Sequence, residues 1–346
     1  VIERVELAPG YSISRLIHGG WQFSAGHRPS APELDDAIAV LTASAEIGVT
    51  TFDCADIYTG VEELYGRFLQ SWKRSSLGTP LQVHTKFVPD DSHLEEVDRG
   101  YVERIVDRSL RRLGVDVLDL VQFHWWRDEV PGMEQTALWL QELRCAGKIR
   151  YLAATNLDAK GMRRLEEAGV ELVADQVQYS ALDQRPEAGL TGYALQRGIG
   201  LLCYGGLAGG FLSERWSGRE EPTELASRSL VKYRLIIDEF GGWERYQALL
   251  EELTRVAANH GAPVSAVALR LVMDQPAVAA VVCGATRLGQ MAGNAEAFRI
   301  DLSDDDHARI RAHLGRAPGP SGPVFALERD RSGPHGRIMR YDLNRD

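Results

Sequence analysis

The sequence predicts an α/β fold, a (β/α)8 barrel, and three observations lead to it. Short apolar runs alternate eight times with helical stretches, and eight such units close a barrel. Three consecutive runs, VTTFD, LQVHTKF and VLDLVQFH, carry polar groups at or beside their carboxyl ends, where such barrels place their chemistry. At 346 residues the chain has room for one large barrel, and residues 1–346 are expected to form a single domain around it.

VIERVEL and YSISRL flank Ala8-Pro9-Gly10 and read as a hairpin ahead of the barrel, placed to plug its amino-terminal end. Strand one is RLIHGGWQF, whose Gly19-Gly20 permits close approach of backbone or ligand. A helix over 33–47 follows, entered through Ser30-Ala31-Pro32 and closed at Gly48. VTTFD is strand two, with its helix over 61–72; LQVHTKF is strand three, with its helix over 101–113. VLDLVQFH, IRYLAAT, LVADQVQY and IGLLCY continue the alternation, with helices over 134–145, 159–168 and 192–197 between them. Strand eight is AVAAVVCG, followed by a helix over 288–298. Several segments depart from the plain repeat. Residues 205–242, beginning GGLAGGF, read as a long insertion, either functional or disordered. Helices over 243–260 and 265–273 precede strand eight, and another over 303–313 has Ser303 as its N-cap before an acidic first turn. Residues 315–346 form a Pro/Gly-rich tail too polar for its own core. Its Phe325, Leu327, Ile338, Met339, Tyr341 and Leu343 are more apolar side chains than a linker needs, which leaves two readings, a frayed terminus or a wall folded over the barrel mouth.

Bulk properties narrow the function. A net charge of −10 argues against a general nucleic-acid surface, so a phosphate-bearing ligand would need a local basic pocket. Cys54, Cys145, Cys203 and Cys283 fit no zinc spacing and read as buried reduced thiols. No apolar run approaches a membrane span and no signal peptide is visible, so a cytoplasmic enzyme without membrane partners is expected. Oligomeric state is left open.

The chemistry centres on Asp53, Tyr58, Lys86 and His124. Alternation along the strands puts Thr51 below Asp53, His84 below Lys86 and Gln122 below His124, giving a connected polar layer. A buried ammonium requires a partner, and Asp53 is the natural one. Positive charge near Tyr58 is then expected to lower its pKa from about 10 and improve the phenol as a proton relay. His124 is placed to donate a hydrogen bond to the same reacting oxygen. Each residue alone has a blander reading: a turn former, a helix-entry aromatic, a surface charge, a core histidine. On consecutive strands in this order they resemble the catalytic tetrad of the aldo-keto reductases, and the likeness runs through nearly the whole chain. His84 lies outside that pattern and reads as barrel filling.

No Gly-x-Gly-x-x-Gly follows a strand, so a Rossmann site is unsupported. The candidate phosphate site is CGATRLGQMAGN, where a helix start and Arg287 would attract an anion. Within the resemblance, Gly284, Thr286, Arg287, Gln290 and Asn294 match the loop for the adenosine end of NADP, although Gly293 stands where many members carry Glu. Thr155, Asn156 and Gln176 resemble the partners of the nicotinamide carboxamide, and Tyr204 the ring stacked on it. Gly205 and Leu207 open the pyrophosphate-spanning loop, with Gly205-Gly206 in place of the commoner Ser-Pro. Trp21 and Trp125 are expected to wall the substrate pocket. The resemblance implies NADPH (with NADH possible) and reduction of a small aldehyde or ketone, with Tyr58 as proton donor. A cofactor-binding sensor like the potassium-channel beta subunits, which share the barrel, is the alternative. A metal-dependent hydrolase is disfavoured because the nine histidines include no His-x-His.

Overall fold

A computed structural model describes residues 1–27, 33–75 and 79–344. The expected helix entry at Ser30-Ala31-Pro32 lies outside the described residues. An antiparallel hairpin, β1 (Arg4–Ala8) and β2 (Tyr11–Ser14), precedes eight parallel strands. These are β3 (Leu16–Gly19), β4 (Thr51–Asp53), β5 (Gln82–Phe87), β6 (Leu118–Phe123), β7 (Ile149–Thr155), β8 (Ala174–Gln178), β9 (Gly200–Tyr204) and β10 (Val278–Gly284). They pair in sequence order, and β10 closes on β3, with Val281 opposite Leu16.

The crossovers are α1 (Leu34–Glu46), α2 (Val61–Arg74), α3 (Arg99–Leu113), α4 (Met133–Cys145), α5 (Ala159–Glu167) and α6 (Leu190–Arg197). After β9 come α7 (Arg228–Phe240), α8 (Trp243–His260) and α9 (Val264–Met273). After β10 come α10 (Gln290–Ala295), α11 (Asp304–Leu314), α12 (Ala326–Arg329) and α13 (Pro334–Arg337). Local chemistry sets their ends. Asp98 caps α3 by accepting from the Tyr101 N–H at 2.6 Å, and Gly114 stops it in the left-handed conformation. Ser303 is the N-cap of α11, as expected, and Asp306 completes a reciprocal capping box with it.

The hairpin closes the amino-terminal end of the barrel. Leu7, Tyr11 and Ile13 pack against Ile17, Leu120 and Leu202 in a satellite apolar cluster, each side chain contributing roughly 1.5–3 kcal/mol by its burial. The Tyr11 hydroxyl meets His84 Nε2 at 2.9 Å, and burial pushes that imidazole down to about 4, so it stays neutral. His84 is barrel filling.

Three elements differ from expectation. Strand one stops at Gly19, and Trp21–Phe23 form a 3-10 turn instead. Gly20 is required there: a Cβ would come within 2.7 Å of the Tyr65 hydroxyl and of Val61, because α2 crosses so closely. The insertion after β9 is ordered by α7, capped by Ser227 and buried along Leu230, Tyr233, Ile236, Ile237 and Phe240. The helix expected over 288–298 is only six residues of α-helix followed by a 3-10 turn. No helix among the described residues is long and apolar enough to cross a membrane. Cys54, Cys203 and Cys283 are buried free thiols, whereas Cys145 is exposed.

Candidate active site

Asp53 ends β4 and is enclosed by donors from three other strands. Lys86 Nζ on β5 donates to its Oδ1 at 2.6 Å, and Gln122 on β6 and Gln176 on β8 each donate to its Oδ2 at 2.7 Å. The ammonium also reaches the Cys54 carbonyl at 2.8 Å. Burial alone lowers the Lys86 pKa, but Asp53 and the polar groups around it raise it further than burial lowers it, so the cation persists. The pair was legible in the sequence. Breaking one partner of such a buried pair costs about 3–5 kcal/mol.

Tyr58 stands above the pair on the β4–α2 loop, its ring centroid 5.2 Å from Lys86 Nζ. The loop is short and well tied: the Tyr58 N–H donates to the Ala55 carbonyl at 3.0 Å, and Gly60 turns the chain into α2 at φ +82°. The phenol departs from the expected electrostatics. Its pKa is raised, because burial outweighs the pull of Lys86, and Asp53, Cys54 and Asp56 push in the same direction as burial. Its ring still reaches the surface at the mouth, but the hydroxyl is a firmly protonated donor rather than an easily ionised one.

His124 follows β6 directly. Its Nδ1 meets the Thr155 carbonyl at 3.2 Å, and a carbonyl only accepts, so Nδ1 carries a proton. Burial first, and then Arg329, push the imidazole down to about 3. The neutral ring therefore leaves Nε2 as an acceptor, and that atom is buried without a partner. Donation to a reacting oxygen, as expected from the sequence, would require a second proton that this environment opposes. Trp126 and Phe325 hold the ring between them, both near perpendicular to it at 4.4 and 5.3 Å.

The expected wall at Trp125 is corrected. Trp125 is wholly buried in the core, its indole N–H on the Val130 carbonyl. Trp126 takes the place beside His124. Trp21 lies at the mouth, edge-on to His27 at 4.7 Å, in a loop whose Ala25 N–H donates to the Thr59 carbonyl beside Tyr58.

The tail covers this mouth. Arg329 bonds the carbonyls of Trp125, Trp126 and Asn156, and Tyr341 packs on Trp126 at 5.1 Å. Glu328 is buried between Arg185 at 3.2 Å and Lys232 at 3.6 Å, and Asp183 holds the other side of Arg185. Arg331 pairs with Asp91, and Asn344 docks on Asp56 and Asp90. None of these tail partners was assigned from the sequence, since the tail's contacts reach 96 or more residues back along the chain.

At the nicotinamide end, Tyr204 donates its hydroxyl to Asn156 Oδ1 at 2.8 Å, fixing its half-buried ring. Thr155 spends its hydroxyl proton on the Gln176 carbonyl, and the Gln176 amide N–H on Asp53. Gly205 is constrained, at φ +80° with a Cβ position 2.5 Å from the Tyr233 hydroxyl, and Leu207 leads into a 3-10 turn at Ala208–Gly210. A nicotinamide carboxamide fits this set, which would hold it through the Asn156 side-chain amide, the Gln176 side-chain oxygen and the Tyr204 ring face. The adenosine end is less as expected. Gln290 Oε1 accepts from the backbone N–H groups of Thr286 and Arg287, both at 2.9 Å, so part of the loop already satisfies itself. Gly284 abuts Gln22, Asn294 is buried with its amide on the Met291 sulfur, and Arg287 projects exposed. Among the described residues no group of three or more His, Cys, Asp or Glu side chains could hold a metal ion.

A barrel with this strand-end constellation defines a class of nicotinamide-nucleotide oxidoreductase. The sequence profile of the aldo/keto reductase family matches residues 15–314. Protein tas of Escherichia coli is 29% identical over 314 residues, covering 80% of this chain and 88% of its own. An NADP(+) aldo-keto reductase of Schizosaccharomyces pombe, yakc, is also 29% identical, over 87% of this chain and 91% of its own. The solved glycerol dehydrogenase of Gluconobacter oxydans superposes with a TM-score of 0.74 at 27% identity, covering 94% of this chain and 98% of its own. The chain belongs to the aldo/keto reductase family and is an NAD(P)H-dependent oxidoreductase.

Proposed function

We propose that the protein reduces an aldehyde or ketone to its alcohol with NADPH, Tyr58 delivering the proton. The observation that carries this reading is the Lys86 ammonium, anchored on Asp53 and directed at the Tyr58 ring. NADPH, when bound, supplies the hydride. Tyr58 gives its hydroxyl proton to the carbonyl oxygen as that oxygen becomes an alkoxide, and Lys86 stabilises the phenolate left behind. A phenol whose pKa is raised suits this direction, because it holds its proton at neutral pH. Oxidation of the alcohol needs the phenolate and so gains as pH rises. His124 Nε2 offers a lone pair, which orients a hydroxyl on the substrate or product rather than the bare carbonyl. That preference favours hydroxylated carbonyls, and the fold neighbour named a glycerol dehydrogenase acts on a polyol.

The test is Tyr58→Phe with DL-glyceraldehyde and NADPH. Turnover should fall by roughly 10²–10⁴, the usual scale for a general acid, with the fold and cofactor affinity retained. Near-normal turnover by the variant, when chemistry limits the rate, sinks the assignment.

A further inference from the structure

Asp53 is a buried carboxylate whose second oxygen receives two amide donors at once, Gln122 and Gln176, each at 2.7 Å. Gln176 has an evident second duty at the cofactor. Gln122 has none: it is fully buried, and its own carbonyl oxygen has no hydrogen-bond partner. A glutamine that leaves one end unsatisfied in a dry interior is destabilising by itself, and an apolar side chain would fill the same space. Its one use is the bond to Asp53. Gln122 also sits opposite Lys86 in the β5–β6 register, so the amide, the carboxylate and the ammonium form one closed cluster below Tyr58.

We infer that Gln122 is a positioning residue for proton transfer: with Gln176 it fixes the Asp53 carboxylate so that its other oxygen holds Lys86 toward Tyr58. This rests on Tyr58 being the proton donor. A carboxylate held at Oδ2 by one donor can rotate about its Cβ–Cγ bond, carrying the ammonium with it. Held by two donors from β6 and β8, it cannot turn without breaking both bonds. The groups facing Tyr58 are Asp53 from the end of β4, Cys54 and Asp56 from its own loop, Lys86 from β5, Tyr65 from α2 and Tyr233 from α7. Lys86 is the one among them that eases ionisation of the phenol. Losing its alignment therefore hinders formation of the phenolate, and alcohol oxidation feels this most. Gln176 extends the cluster. Because its amide bonds Asp53, cofactor seating and the proton relay share one carboxylate.

The test uses Gln122→Met, which keeps the volume, removes the unsatisfied carbonyl and removes the bond to Asp53. Oxidation of glycerol by NADP+ and reduction of DL-glyceraldehyde are followed from pH 6 to 11, beside Tyr58→Phe. We expect kcat for oxidation at pH 8 to fall roughly tenfold or more, the scale of a charge-assisted hydrogen bond. The midpoint of its rise with pH should move up by about one unit, with NADPH affinity within twofold of the parent. Gln122→Glu is the second variant. It sets two carboxylates against each other and should move the same midpoint, because the pair must share a proton. A purely structural role would lower thermal stability and leave the midpoint in place in both variants, and that result overturns the inference. If Tyr58→Phe itself retains turnover, the underlying proton-donor reading has failed instead, and the two failures are told apart.

Discussion

Replacing Glu328 by glutamine removes one charge from the buried cluster that ties the tail to the barrel and leaves nearly the same shape. Glu328 lies against Arg185 and Lys232, and these two cations hold its carboxyl down at about 2 from an ordinary 4.5, against the push of burial. Taken alone, that shift corresponds to roughly 3 kcal/mol favouring the docked tail. Lys232 argues for less, because burial lowers its pKa in spite of Glu328. The pair therefore returns part of its attraction as desolvation, and a net of roughly 1.5–2 kcal/mol is the reasonable figure. Arg185 keeps Asp183 in either case, so the barrel itself should not unfold. The effect should appear as local opening of residues 320–344, raised roughly 10- to 30-fold. Hydrogen–deuterium exchange of peptides from that segment, read against peptides from β5 and β6, measures it directly. The pH dependence has a definite sign. A depressed carboxyl contributes fully above about 4.5 and loses its contribution as pH falls toward about 2. Acidification through that window should loosen the native tail more than that of Glu328→Gln, since Asp90 and Asp91 hold the tail in both. If tail exchange in the variant stays within twofold of the parent at pH 7, the cluster does not hold the tail.

Two further outcomes follow from the site. His124→Phe should lower kcat/KM for hydroxyacetone several-fold more than for butanone if Nε2 accepts from a substrate hydroxyl, whereas an equal loss for both would identify it as a donor to the carbonyl. Arg287→Ala should remove most of any preference for NADPH over NADH, a change of roughly tenfold or somewhat more for a charge-assisted contact. Fluorescence titration of both cofactors decides that, and an unaltered ratio would make Arg287 a surface charge alone.

The barrel was legible because strand period, turn residues and helix ends all act locally; IRYLAAT, for example, is β7 from its first residue to its last. The polar layer was legible for the same reason, since alternation alone places Gln122 and His84 inward beneath their neighbours. That rule also contained the correction to the pocket wall. If His124 faces inward, Trp125 faces out and Trp126 faces in, as is found. Helix α7 could also have been found, from Ser227 ahead of apolar residues at helical spacing. The fate of the Tyr58 proton could not. Opposite charges in sequence suggest an eased ionisation, but the outcome depends on how much protein covers the ring, and here the covering dominates.

The tail shows why such information is missing from local pattern. Glu328 reads as one more charged residue in a polar segment, and its partners Arg185 and Lys232 lie 143 and 96 residues earlier. Only closure of the barrel brings the β8–α6 loop, α7 and the tail together above Tyr204, where the Lys232 ammonium lies 5.0 Å from that ring. The same closure sets Phe325, in a left-handed conformation at φ +63°, against His124. A non-glycine residue held there is strained, and the strain persists only while its surroundings hold it. The buried Glu328 on α12 follows three residues after Phe325 and supplies that hold. The ion cluster and the aromatic contact on His124 are thus two ends of one device, and loosening the first should release the second.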